Sequence, residues 1–250
     1  MSGHSKWATT KHQKGAKDAK RGKLFAKLIR QIEVAAKDGG ADIDTNATLR
    51  TMVQKARDNS VPKDTIDKAV KRGGGDDGGI RYEAINYEGY GPNGIAFYVE
   101  TLTDNRNRTG AEVRNIFSKN GGNPAEPGAV SWQFERKGSI LLPKSAGTED
   151  DLMLFVAEAG GEDLIDLGAQ WQILTGPTEL HVVRTALEAA GMKVTEGSLV
   201  MQPSTTVELD DVERARKAIR LVDALDDHED VQNVYANFDL PDAVLDLLDA

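Results

Sequence analysis

Eight cations crowd the first 27 residues: Lys6, Lys11, Lys14, Lys17, Lys20, Arg21, Lys23 and Lys27, with Asp18 the one acid among them. Cations at this density neutralise phosphates along a backbone without selecting a sequence. Trp7 can stack on a splayed base, and His12 and Gln13 can hydrogen-bond one. The bland alternative is a solvated arm whose Trp7 packs on the domain behind it. A second cluster is the polar run Asp104, Asn105, Arg106, Asn107, Arg108 and Thr109, set between a strand pattern and a helix pattern. Arg106 and Arg108 are planar forks suited to a phosphate or a partner's carboxylate, backed by the N-terminal end of the next helix. Read without a ligand, the same run is a βα loop in which Asp104 and Thr109 cap and the arginines face solvent.

The remaining chemistry-bearing residues converge on no reaction. The chain has no Cys, which removes disulfides, thiolate catalysis and Cys-ligated metal sites. His4, His12, His181 and His228 stand apart from one another and form no zinc-type spacing. The acidic runs at 150–151, 210–211, 226–227 and 229–230 read as helix caps or solvated charge rather than a cation loop. "GYGPNG" and "GGGDDGG" match neither a phosphate loop nor a dinucleotide fingerprint, and read as turns. A non-enzymatic protein with no metal and no cofactor is expected.

Charge sharpens the case for a polyanion. The chain carries net charge -9, yet its first 75 residues hold 17 Lys and Arg against 8 Asp and Glu. The other 175 hold 14 against 32, a net of −18. A positive head on a negative body predicts one-sided contact with DNA or RNA. No apolar run is long enough to span a bilayer, and the start lacks the apolar core of a secretory signal. The stripe in "KLFAKLIRQIEVAAK" is what a helical bundle needs for its core, so no membrane contact is expected. A cytoplasmic monomer is the expectation.

Elements must position these residues. Residues 1–22 read as an extended basic arm. From Lys23, Leu24, Phe25, Leu28, Ile29, Ile32, Ala35 and Ala36 recur at helical spacing and stop at Gly39-Gly40. A second helix follows Asn46 as cap, and a third starts with Pro62 at its first position. "KRGGGDDGG" then marks a linker. "YEAINYEGY" and "GIAFYVETLT" read as strands, followed by a helix through Val113 and Phe117 and a strand in "AVSWQFE". Residues 138–200 read β-α-β-β-α-β, a split βαβ arrangement. A helix over 209–225 and a strand over 231–238 close the chain. The expected fold is α+β: an N-terminal three-helix domain (23–80) and two α/β sandwich-like, ferredoxin-like domains. One of these, 137–202, is inserted in the other, which comprises 81–136 and 203–250.

Three of these stretches, "MSGHSKWATTKHQKGAKDAKRGKLFAKLIR", "YEGYGPNGIAFYVETLTDNRNRT" and "FSKNGGNPAEPGAVSWQFERKG", strongly resemble the YebC/PmpR family. The likeness runs from Met1 to about Gly138 and continues more loosely to the end. It implies a three-domain cytoplasmic protein, with mitochondrial relatives, described as a DNA-binding transcriptional regulator. The alternative within the family is a ribosome-associated translation factor that contacts RNA and relieves stalling at proline-rich sequences. The family's basic motif falls on Lys6, Lys11, Lys14, Lys17, Lys20 and Lys23 beside His4, Trp7 and His12. Its central loop falls on Thr103 through Thr109. The chain departs from the family pattern at Pro124 and Pro127 in "NPAEP" and in the acidity of 138–250.

Overall fold

The computed structural model describes residues 18–75 and 81–249. The arm residues Lys6, Trp7, Lys11, His12, Lys14 and Lys17 lie outside them, as does the end of the glycine linker. Helix α1 spans Asp18–Gly39, α2 Ala47–Asp58 and α3 Lys63–Gly73. Their stripes meet in one core of Leu28, Ile32, Ala36, Leu49, Val53, Ala56, Ile66 and Ala69. The first helix is already formed at Asp18, six residues before Leu24 opens the apolar stripe. Gly22 costs a helix interior about 1 kcal/mol, which good helix formers such as Lys20 and Arg21 offset. Asn46 caps α2 by accepting from the Leu49 N–H and donates to the carbonyls of Ala35 and Gly40, fastening α1 to α2. Pro62 stands at the cap of α3 rather than at its first residue. Gly73 is needed where α3 crosses α1, because a Cβ there would lie 2.3 Å from the Glu33 carbonyl oxygen.

The chain continues through β1 (Glu83–Tyr90), β2 (Ala96–Thr103), α4 (Arg106–Lys119) and β3 (Asn123–Ala125). Then come β4 (Phe134–Pro143), α5 (Glu149–Ala159), β5 (Gly161–Asp166), β6 (Gln170–Thr175), α6 (Leu180–Ala189) and β7 (Glu196–Pro203). Strand β8 (Val207–Glu208), α7 (Val212–Asp226), β9 (Val231–Ala236), β10 (Phe238–Asp239) and α8 (Asp242–Asp249) complete it. The fold is mixed: helices first, then antiparallel sheets backed by helices. One sheet has the order β3-β1-β2-β9 and the other β5-β6-β4-β7. In the second, β6 lies between β4 and β5 and runs antiparallel to both, as a split βαβ unit requires. In the first, the late strand β9 pairs with β2, matching Val99 to Val234.

Two compact units result among the described residues: 81–135 with 201–249, and 18–75 with 136–200. The core of the first joins Phe97, Val99, Val113 and Phe117 to Ala218, Leu221, Leu225 and Val231, from segments about a hundred residues apart. Within the second, Arg184 on α6 grips Asp58 at the end of α2 with two bonds of 2.6 and 2.8 Å, and Glu188 at 2.8 Å. Burial disfavours the Arg184 charge, but Asp58 and Glu188 outweigh it and hold the guanidinium pKa above its ordinary value.

"AVSWQFE" is not one strand. The edge partner of β1 is the short β3, and residues 131–133 form a 3-10 turn before β4 begins at Phe134. The reason lies in Glu88, whose buried carboxylate accepts the backbone N–H groups of Gly128, Val130 and Ser131 at 2.8, 2.6 and 2.9 Å. With those donors taken by a side chain, this stretch has no need of a ladder. Burial raises the Glu88 pKa, and the three backbone donors outweigh that and hold it below its ordinary 4.5.

Candidate nucleic-acid interface

Of the basic residues, Lys20, Arg21, Lys23 and Lys27 fall on the first turns of α1. Arg21 and Lys23 are exposed and Lys27 is half-buried, while Leu28 and Ile32 face the core. The Arg21 guanidinium sits over the Phe25 ring, 5.3 Å from its centroid. A cation held on an aromatic face keeps its charge and outer donors while losing freedom of movement. The helix therefore gives the end of the basic stretch a rigid base anchored in the three-helix core.

The second cluster is built differently. Strand β2 ends at Thr103, and the cap of α4 is Asn105, whose side chain accepts the Arg108 N–H at 3.1 Å. Thr109, expected as a cap, is instead fully buried inside the helix. Its hydroxyl meets Thr103 Oγ1 at 2.7 Å and donates to Asp230 Oδ2 at 2.6 Å. Arg108 does not face solvent alone. Its Nη2 donates to Asp104 at 2.9 Å and to Asp230 at 2.7 Å, and hydrogen bonding to Asp230 first, then its charge, raises the guanidinium pKa. Arg106 is the outward fork. It is 70% exposed, with Glu83 at 3.7 Å, and its carbonyl accepts the Tyr87 hydroxyl at 3.4 Å. Burial raises the Tyr87 pKa, partly opposed by Arg114 and Arg106. Asp104, Asn105 and Asn107 are exposed around it.

Asp230 is the residue that sequence reasoning missed. Within an acidic run it reads as solvated charge, yet it is 4% exposed and organises the loop from 121 residues away. The Asp230 carbonyl accepts the Leu102 N–H at 2.9 Å, and its own N–H donates to His228 Nδ1 at 3.1 Å. A ring nitrogen that accepts there leaves Nε2 as the N–H donor to Glu112, 2.8 Å away on α4. The one sequence-level signal was position: Asp230 directly precedes the apolar strand β9. His181, by contrast, is exposed on α6.

Together these features give a rigid basic helix start and a braced loop that presents one arginine fork. A family model described as the TACO1/YebC protein N-terminal domain matches residues 5–76, and one for the second and third domains matches residues 82–238. The chain belongs to the TACO1/YebC family. A probable transcriptional regulatory protein of Streptomyces coelicolor is 55% identical over 251 residues, covering 100% of both chains. Another, from Mycolicibacterium smegmatis, is 55% identical over 250 residues, covering 100% of this chain and 99% of its own. The crystal structure of a conserved hypothetical protein from Aquifex aeolicus superposes with a TM-score of 0.82 at 43% identity, covering 90% of this chain and 92% of that one. Relatives of this TACO1/YebC chain thus carry regulatory names, and no helix among the described residues is long and apolar enough to cross a membrane.

Proposed function

We propose that this TACO1/YebC protein is a nucleic-acid-binding regulator of gene expression, docking by its basic N-terminal region, with DNA as the polyanion its relatives' regulatory names suggest. The observation that carries the reading is the charge division: 17 basic against 8 acidic residues up to residue 75, then 14 against 32. The basic residues end on a helix that a packed core holds in place. Phosphate contacts of this kind supply affinity and salt dependence rather than base selection. Replacing Lys11, Lys14, Lys17 and Lys20 together by Gln is expected to weaken duplex binding broadly. Each lost phosphate contact lowers the slope of log K against log salt by roughly 0.7–0.9. An unchanged slope in that titration overturns the reading.

A second reading, a ribosome-associated translation factor relieving stalling at proline-rich sequences, is favoured by the net −18 of the remaining chain. An acidic body resists wrapping by a duplex but suits a protein that inserts one basic end into folded RNA. Cosedimentation with ribosomes at moderate salt, together with faster elongation through proline runs in reconstituted translation, supports this reading. Absence of both removes it.

A further inference from the structure

The acidic C-terminal segment contains one basic surface. Residues 201–250 hold 13 Asp and Glu and four basic residues, and all four basic residues fall between 214 and 220: Arg214, Arg216, Lys217 and Arg220. They run from the first turn of α7 to just past its midpoint: Arg216, Lys217 and Arg220 lie on the face opposite the buried Ala215, Ala218, Leu221, Val222 and Leu225, and Arg214, one turn before Ala218, flanks them at the helix start. All four are exposed. The usual reasons for cations on a helix do not account for them. None lies in the last turn, where the helix dipole favours positive charge. Among the described residues, Arg216 alone of the four takes a carboxylate partner, Glu213 at 3.2 Å. Among the described residues, Arg214, Lys217 and Arg220 form no ion pair, although Asp223 follows Arg220 by three positions.

We infer that this face of α7 is a second contact for the phosphodiester backbone of a nucleic acid, an inference that rests on the nucleic-acid reading above. Arg214 to Lys217, Lys217 to Arg220 and Arg216 to Arg220 are three- or four-residue steps, which set neighbouring side chains about 5–6 Å apart at Cβ. Adjacent cations at that spacing can each take a different phosphate of one strand. Three of the four are arginines, whose forks match phosphate oxygens in pairs. Asp210, Asp211 and Glu213 bound the patch on one side, and Asp223, Asp226 and Asp227 on the other. Three cations at these steps match about two or three phosphates of one strand. The contact therefore adds affinity and orientation without wrapping the strand.

The test uses the full chain carrying Arg214→Gln, Lys217→Gln and Arg220→Gln together. Its binding is measured by fluorescence anisotropy to a 30-nucleotide RNA hairpin and to a duplex DNA of equal charge, across a salt series. The expected result is a slope of log K against log salt smaller by roughly 0.7–0.9 for each phosphate lost, up to about 2–3 in total. The loss adds to that of the Lys11, Lys14, Lys17 and Lys20 variant; its appearance with RNA alone or DNA alone identifies the polymer, and its appearance with both shows a backbone contact common to the two. A circular-dichroism melt unchanged from the parent guards against a folding defect, and a second variant, Lys217→Ala with Arg220→Ala, should lose part of the same slope. If the triple variant binds both probes with the parent slope while the four-lysine variant loses binding, α7 is not a contact and the parent reading stands. If the parent itself binds neither probe, both fall.

Discussion

Two arginine–aspartate pairs in this protein have the same chemistry and different consequences. Arg184 and Asp58 are both buried and joined by two bonds, with the Gly197 N–H adding a third contact to Asp58 at 3.3 Å. In the other pair, Asp230 is buried but Arg108 keeps 44% of its side chain in solvent. The first pair fastens α6 to the end of α2 with both side chains almost wholly out of solvent. The second braces a loop from below and leaves part of its charge at the surface. The difference lies in which partner is desolvated: a pair buried on both sides is architecture, whereas one buried on a single side positions something for contact.

Asp58→Ala should break that contrast most forcefully. It leaves a buried guanidinium with Glu188 as its one remaining carboxylate, so a loss of about 3 kcal/mol, the lower end for a broken buried pair, is expected in chemical denaturation. A loss below about 1 kcal/mol would show that water reaches Arg184 and that the two pairs are alike. Asp230→Ala should cost less, about 1–3 kcal/mol, since it takes the carboxylate acceptor from the buried Thr109 hydroxyl while Arg108 still has Asp104 and water. It should also weaken any binding that uses Arg106, with anisotropy as the readout. A destabilised variant with unaltered binding would separate the loop from the interface.

Glu88 adds a third case, a buried carboxylate held chiefly by backbone donors. Its folded pKa lies below the ordinary 4.5, so its contribution is full above that value and is lost as pH falls through the lower, folded value. Glu88→Gln should therefore cost roughly 1–3 kcal/mol near neutral pH, and the gap to the parent should shrink below about pH 4.5. A gap that stays constant down to pH 3 would contradict the assignment. The smallest effect on stability is expected from replacing Arg106 and Arg108 together by Lys, which keeps the net charge at -9. Generic duplex binding should stay within about twofold, because point charges suffice for it. Discrimination of a cognate operator over random DNA, or ribosome association under the second reading, should fall at least severalfold. Equal performance in both assays would mean that the fork geometry is not used.

Much of this protein was legible locally. Apolar spacing in 23–36 placed the first helix stripe, Asn46 marked a cap, alternating strand residues over 83–103 marked a hairpin, and the charge division needed only counting. Each of these signals lies within one element, where side-chain period and backbone preference act over a few residues. What local pattern could not supply were partners distant in sequence. Asp230 reaches Thr109 over 121 positions, Arg184 reaches Asp58 over 126, and Glu88 reaches the 128–131 turn over about forty. An acid's type does not say whether water or a buried donor will satisfy it, and that depends on which segments the fold brings together. The sequence by itself therefore determined the helical bundle, the strand-rich units and the basic end. Only the tertiary structure decided that Asp230 braces Arg108 while Arg106 reaches outward, that "AVSWQFE" is a turn pinned by a carboxylate, and that the four cations of α7 stand exposed in an otherwise acidic segment.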